Sequence, residues 1–258
     1  MSRTTSRDAM CAAVCDIAAE AGRVVLRHYE SPEARAAVTH KHDASPVTRA
    51  DREARALIVR RLAALTPEVP VISEEEDLPP YETRREWRHF WLVDPLDGTK
   101  EFIRGLGEFT VNIALVEDGV PVLGVITAPA LGVTYHASAG GGAWRRADGE
   151  APTRIYSSER PAELPRVVVE SRSHPSAELE AYLATVAVER RVAVGSSLKF
   201  CWLAEGRVDL YPRFGPTMEW DVAAGDCIYR ESGRWEANPS PLTYNKPGLR
   251  NAPFVLGR

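Results

Sequence analysis

The stretch Trp91–Phe102, WLVDPLDGTKEF, constrains this chain more than any other. Phe90 to Val93 is an apolar run that reads as a buried strand. It delivers Asp94 and Asp97 around a proline, and Asp97-Gly98-Thr99 then leads into a short polar helix. Carboxylates at i and i+3 across a tight turn can converge on a hard cation, because oxygen ligands suit Mg²⁺ and a proline-fixed turn lowers the ordering cost. Thr99 adds a hydroxyl where a metal-bound water would be oriented. An Asp-rich turn that caps a helix is the competing reading, and this stretch alone does not choose between them.

The chain has 258 residues, enough for one large domain or two intimate halves with a full core. With 44% hydrophobic and 26% charged residues, it has the balance of a folded globular protein. A net charge of −4 argues against a protein that coats a nucleic-acid polymer, while leaving room for a small anionic substrate. No apolar run reaches the roughly 20 residues of a membrane span. The N-terminal MSRTTSRDAM has no apolar signal core behind its arginines. Cys11 and Cys15 lie four apart on an expected helix, with no second close pair to complete a zinc site, so all four cysteines read as buried thiols of a reducing compartment.

Along the chain, Ser6 to Tyr29 is expected to be an amphipathic helix with Met10, Val14, Ile17, Ala18, Ala21, Val24 and Val25 on one face. The polar segment His40 to Asp51 follows, extended around Pro46. A second helix is expected from Asp51, with Ala54, Leu57, Ile58, Leu62 and Leu65 inward; alone, Asp51 reads as a first-turn carboxylate suited to the helix dipole. Val69 to Ile72 is expected as a strand running into Ser73-Glu74-Glu75-Glu76-Asp77. Phe109–Val116 and Val120–Thr127 form a hairpin around Glu117-Asp118-Gly119, and Val133–Ala137 is a third strand. Gly140-Gly141-Gly142 is turn chemistry, and a polar stretch to about Arg160 separates two halves, 1–155 and 156–258. The second half alternates as α/β: strands 166–169, 191–194 and 208–211, with helices 177–186 and 198–205 between them. Asp221 is placed as the N-cap of a last helix ending at Ser232-Gly233. An irregular tail is expected from Asn238.

Glu74, Asp94, Asp97 and Asp221 thus stand at strand ends or helix starts. Two like charges 4 Å apart cost about 4 kcal/mol at an effective dielectric of 20, so a converging set would take up protons, spread apart or recruit divalent cations. Oxygen-only ligands favour Mg²⁺ over zinc there.

PVTRAD, ISEEE, WLVDPLDGTKEF, GSSLKF and YPRFGPTMEWDVAAGD, in that order from the first helix to about Gly233, resemble the inositol monophosphatase superfamily. DPLDGTKEF, SRSH and GSSLKFC with YPRFGPT resemble its bacterial 3′(2′),5′-bisphosphate nucleotidase branch. The resemblance implies an α/β (α+β) layered αβαβα fold of two intimate subdomains, and a lithium-sensitive phosphatase using two or three Mg²⁺ ions. It implies Glu74, Asp94, the Leu96 carbonyl, Asp97 and Asp221 as metal ligands, and Asp51 with Thr99 as the pair that orients and deprotonates the attacking water. Glu75 matches a second, often water-mediated acid. Glu74, Leu96, Asp97, Gly98, Thr99 and Asp221 also border the substrate. His174, Ser196, Lys199 and Arg213 match nucleotide contacts, although His174 equally suits a surface loop and Ser196 a helix cap.

The implied reaction is hydrolysis of the 3′-phosphate of adenosine 3′,5′-bisphosphate, and of 3′-phosphoadenylyl sulfate as a second substrate, in sulfur metabolism. The implied location is the cytoplasm, free or peripheral on the cytoplasmic face of the inner membrane. The alternatives are an inositol- or fructose-1,6-bisphosphate-type sugar phosphatase and a non-catalytic, metal-dependent binding module. The partner in the first two readings is a small phosphorylated molecule.

Overall fold

A computed structural model of the chain describes residues 3–40, 46–74, 76–161, 163–173, 176–234 and 240–257. It opens with α1 (Arg3–Tyr29), which buries Val14, Ile17, Ala18, Ala21 and Val25 along one face, as the spacing predicts. α2 (Pro32–Ala36) follows, capped by Ser31, whose hydroxyl accepts the Ala34 N–H at 3.2 Å. β1 (Val38–His40) pairs antiparallel with β2 (Pro46–Thr48), and α3 (Arg49–Leu65) begins at once. The first large block continues with β3 (Val71–Ser73), α4 (Tyr81–Arg84), β4 (His89–Asp97), α5 (Thr99–Ile103), β5 (Thr110–Glu117), β6 (Val120–Ala128), β7 (Val133–Ser138), β8 (Gly142–Ala147) and β9 (Thr153–Ile155). The second block comprises β10 (Arg166–Ser171), α6 (Ala177–Leu183), β11 (Val188–Val194), α7 (Leu198–Ala204), β12 (Leu210–Arg213), α8 (Glu219–Tyr229) and β13 (Phe254–Gly257).

The strands form a seven-stranded sheet in the order β3-β4-β5-β6-β7-β8-β9 and a four-stranded sheet in the order β11-β10-β12-β13. Burial shows how they stack. α1 and α3 cover one face of the large sheet, meeting Trp91, Val93, Val111, Ile113 and Val125. α7 and α8 fill the space between the sheets, where Leu92, Ala114 and Ile126 of the large sheet meet Phe200, Ala224 and Ile228, and Val167, Val169 and Tyr211 close from the small sheet. α6 covers the far face of the small sheet through Leu179 and Leu183 against Val168 and Leu210. The result is five layers, αβαβα. Alternation along β4 explains the partition: Phe90 and Leu92 face one core, Trp91 and Val93 the other.

Several boundaries depart from expectation. α1 begins at Arg3 rather than Ser6, and α3 at Arg49 rather than Asp51, because Thr48 is the N-cap and Asp51 sits three residues inside. Leu65, expected inward, is exposed at the end of α3. The expected 69–72 strand is Val71–Ser73, and β11 starts at Val188, three residues early. The polar stretch to Arg160 holds β8 and β9, the edge strand and its neighbour: partly exposed strands need few apolar residues, which hides them in the sequence. Asp221 is not the N-cap of α8; Met218 is, and Asp221 again stands three residues inside. The Asp118-Gly119 turn is as expected, with φ of 48° and 77°, the left-handed pair that matches the twist of a hairpin.

Two glycines set how close α8 can lie. A Cβ on Gly124 of β6 would stand 2.4 Å from the Ala224 carbonyl oxygen, and one on Gly225 of α8 only 2.3 Å from Phe200 Cγ. Alanine at position 225 gains about 1 kcal/mol of helix propensity. It overlaps a fully buried ring, and overpacking of this kind costs about 1–3 kcal/mol and occasionally more. Gly225→Ala is therefore expected to lower the urea midpoint with an unchanged m value; a midpoint at or above wild type would refute the close α7–α8 contact.

Candidate active site

The large sheet carries acids at the ends of β3 and β4, where the start of α8 meets them. Parallel pairing aligns Ser73 with Val93, so Glu74 leaves β3 beside Asp94, and its N–H reaches the Val93 carbonyl at 3.2 Å. β4 does not stop before Asp94 as expected; it runs to Asp97 with an irregularity. Asp94 pairs with Asn112 and Asp97 with Thr110, three residues against two. In a regular strand, positions i and i+3 point to opposite faces; one extra residue restores them to the same face. The Pro95-Leu96 bulge thus turns both carboxylates toward α7 and α8, and sends Leu96 into the α1–α3 core.

Asp221 arrives from the other side. Its Oδ2 accepts the Met218 N–H at 2.7 Å, so the helix start that it caps also fixes its direction. Asp51 is held in the same way at the start of α3, where Oδ2 accepts from the Thr48 N–H at 2.8 Å and the Thr48 hydroxyl at 2.6 Å. Oxygens of Glu74, Asp94 and Asp221 come within 4.8 Å of one another. Burial, then the charges of Glu74, Asp97 and Asp221, push the Asp94 carboxyl well above the usual carboxylate range. Burial and the charges of Asp97 and Glu74 do the same to Asp221. Asp97 stands one step aside, its Oδ2 accepting from the Ser196 and Ser197 hydroxyls at 2.8 Å each.

Glu74, Asp97, Gly98, Thr99 and Asp221 line one cavity of about 170 Å³ together with Ser196, Lys199 and Arg213. Thr99 donates to the Leu96 carbonyl at 3.3 Å, and Gly98, at φ 90°, packs so tightly that a Cβ would stand 3.0 Å from the Glu108 carbonyl. Ser196 adopts φ 57° and spends its hydroxyl on Asp97 rather than on a helix cap. Lys199 is buried, with its ammonium 3.3 Å from the Val194 carbonyl, and burial pushes it down to about 8. Arg213 donates to the Pro216 carbonyl at 3.0 Å, while its buried Nε has no hydrogen-bond partner among the described residues. Glu75 and His174 lie outside the described residues.

Three further polar residues escaped the sequence reading. Asn112, buried within the apolar TVNIALVE strand, donates to Ser197 at 2.8 Å; Ser197 bridges Asp97 and the Asp221 carbonyl, the latter at 2.7 Å. Thr110 donates to Asn112 at 2.9 Å and touches the Ser196 hydroxyl. A lone Asn in a strand buried along its length was the available signal.

A model of the inositol monophosphatase family matches residues 6–253. The chain belongs to the inositol monophosphatase family. Among curated family relatives, the 3′(2′),5′-bisphosphate nucleotidase CysQ of Escherichia coli (strain K12) is 46% identical over 245 residues, 92% of this chain and 97% of that protein. The protein of the same name from Salmonella typhimurium is 49% identical over the same extent. The crystal structure of CysQ from Bacteroides thetaiotaomicron, described as a bacterial member of the inositol monophosphatase family, superposes with a TM-score of 0.80 at 41% identity and covers 96% of each chain. An inositol monophosphatase from Thermotoga maritima gives 0.71 at 28% identity, covering 85% of this chain and 82% of that one. The five layers are those of the family fold. No described helix is long and apolar enough to cross a membrane.

Proposed function

We propose that this phosphatase hydrolyses the 3′-phosphate of adenosine 3′,5′-bisphosphate to AMP and inorganic phosphate, with 3′-phosphoadenylyl sulfate as a second substrate. One observation carries the reading: a single cavity offers a carboxylate cluster on one wall and two buried cations, Lys199 and Arg213, on another. A bisphosphate needs both, because its second phosphate must be neutralised away from the first. The nucleotidases at 46–49% identity support it. The all-oxygen cluster of Glu74, Asp94 and Asp221 fits Mg²⁺, which these three, the Leu96 carbonyl and Asp97 would hold. When bound, the metal lowers the pKa of water and neutralises phosphoryl oxygens.

The chain supplies the rest. Thr48 fixes the Asp51 carboxylate, which with the Thr99 hydroxyl orients the attacking water and takes its proton. Asn112 and Ser197 hold Asp97 in place, so its carboxylate need not reorganise as charge develops. Lys199 and Arg213 bind the remaining phosphate, and the unpartnered Arg213 Nε gains an acceptor there. The 3′ oxygen leaves as an alcohol. The cytoplasm, a role in sulfur metabolism and inhibition by Li⁺ belong to the same proposal.

The deciding measurement is phosphate release from adenosine 3′,5′-bisphosphate, inositol 1-phosphate, fructose 1,6-bisphosphate and NADP, with Mg²⁺ and with Li⁺ added. The highest kcat/KM is expected for adenosine 3′,5′-bisphosphate, with inhibition by Li⁺. Faster turnover of inositol 1-phosphate or fructose 1,6-bisphosphate would overturn the substrate, and no turnover with Mg²⁺ would make the protein a binding module.

A further inference from the structure

The large sheet holds a second group of metal-binding side chains on the side of α1, away from the acids of the cleft. Cys11 and Cys15 stand one helical turn apart on α1, on the face that packs against the sheet, and β7 presents His136 to them. The two sulfurs and a ring nitrogen lie within 4.8 Å of one another, and Cys11 Sγ is 3.7 Å from His136 Nδ1. Zinc bonds of about 2.3 Å to sulfur and about 2.05 Å to nitrogen, at tetrahedral angles, set those two atoms about 3.6 Å apart. The pair already stands at coordination spacing.

We propose that Cys11, Cys15 and His136 bind one Zn²⁺ ion that pins α1 to β7. Two thiolates and an imidazole are a soft donor set, which selects zinc and discriminates against Mg²⁺; the carboxylate cleft has the opposite preference. The three residues share the wall of a cavity of about 370 Å³ with Asp8 and Asp16, so water and two carboxylates on the same wall are available as sources of an oxygen ligand. Asp8 is anchored by the Ser138 hydroxyl at 2.7 Å, next to the β7 end that carries His136. Binding releases two protons, one from each thiol, and leaves Zn²⁺ with two sulfur ligands, one nitrogen ligand and an oxygen in the last position. The other two cysteines, Cys201 and Cys227, take no part. The ion is structural: it joins the helix layer to the sheet and touches no residue of the catalytic cleft.

The test uses the whole chain, stripped of metal and returned to saturating Mg²⁺, with Co²⁺ then added as the spectroscopic probe. One equivalent is expected to give a thiolate-to-cobalt charge-transfer band and intense tetrahedral d–d absorption, both abolished by one equivalent of Zn²⁺. Zn²⁺ is also expected to raise the melting temperature of the Mg²⁺-saturated protein. Cys11→Ser is expected to weaken the charge-transfer band and His136→Gln to shift or weaken the tetrahedral d–d absorption, whereas Cys201→Ala, Cys227→Ala and Asp94→Asn leave both unchanged. Circular dichroism checks that each variant is folded. His136→Gln guards against a misfolded cysteine variant, because His136 is only half-buried. A wild-type protein that shows no charge-transfer band overturns the proposal, and so does a cobalt spectrum that is unchanged, in charge-transfer intensity and in d–d absorption, in folded Cys11→Ser and His136→Gln.

Discussion

Asp94→Asn is expected to lower kcat on adenosine 3′,5′-bisphosphate by about 10³-fold or more, while the metal-free protein melts no lower than wild type. The two outcomes share one cause. Asp94 is buried among Glu74, Asp97 and Asp221, and its carboxyl is pushed well above the usual range by burial first and by those charges second. Like charges about 4 Å apart repel by about 4 kcal/mol at an effective dielectric of 20, so the wild-type cluster is a strained assembly until a divalent cation arrives. Asparagine preserves shape and relieves the repulsion, but cannot balance the cation. Its amide can still accept the Leu96 N–H, now 3.0 Å from Asp94 Oδ1, so the bulge keeps its internal bond. Calorimetry provides the second readout: Mg²⁺ should raise the melting temperature of wild type through preferential binding to the native state, and raise that of the variant far less. Activity within tenfold of wild type at saturating Mg²⁺ would remove Asp94 from the metal set.

The second large effect falls on substrate choice. Lys199→Ala is expected to cut kcat/KM for adenosine 3′,5′-bisphosphate by about 10–100-fold, the worth of a charge-assisted hydrogen bond of about 1.5–3 kcal/mol. For adenosine 3′-monophosphate, which lacks the second phosphate, the loss should stay within about threefold. Equal losses on both would deny Lys199 its role. pH separates the charge from mere packing. Burial, more than any neighbouring charge, pushes Lys199 from 10.5 down to about 8. Below 8 both the folded and the unfolded chain carry the proton, and the folded chain bears the cost of burying it. Between 8 and 10.5 the unfolded chain holds a proton that the folded chain has released, so this group's contribution to stability rises with pH. Affinity for the bisphosphate moves the other way, with KM climbing above pH 8 as the ammonium neutralises. Lys199→Arg, which stays charged, should flatten that climb, whereas a KM independent of pH in wild type would show that the ammonium is not the anchor.

Much of the site was legible because local chemistry writes itself into short motifs. A strand entering DPLDGT, acids after a short strand and an Asp opening a helix each leave a pattern of apolar runs and polar ends, and together they carried the family resemblance. The parallel β10, β11 and β12 and the helices between them were readable by alternation for the same reason. What escaped had no local signature. β9 is an edge strand and β8 its neighbour, and their partly exposed positions accept Trp144, Arg145, Arg146 and Arg154 as readily as valines. Asn112 looked like one polar residue in an apolar strand until its register placed it opposite Asp94.

The sequence by itself determined the chemistry of the main site: which carboxylates exist, that each stands where a strand ends or a helix begins, and that Lys199 and Arg213 follow about a hundred residues later. Only the tertiary structure decided how they meet. A one-residue bulge turns Asp94 and Asp97 to the same face, and the start of α8 aims Asp221 at them from the helix layer packed against that face. The cysteines mark the limit most sharply. Cys11 and Cys15 read as packing because no partner was near them in the chain; their partner, His136, is 125 residues from Cys11 and is brought to 3.7 Å from its sulfur by the packing of α1 against β7. Helical and strand periods repeat over a few residues, so they record a residue's face. They hold no record of what the fold places against it.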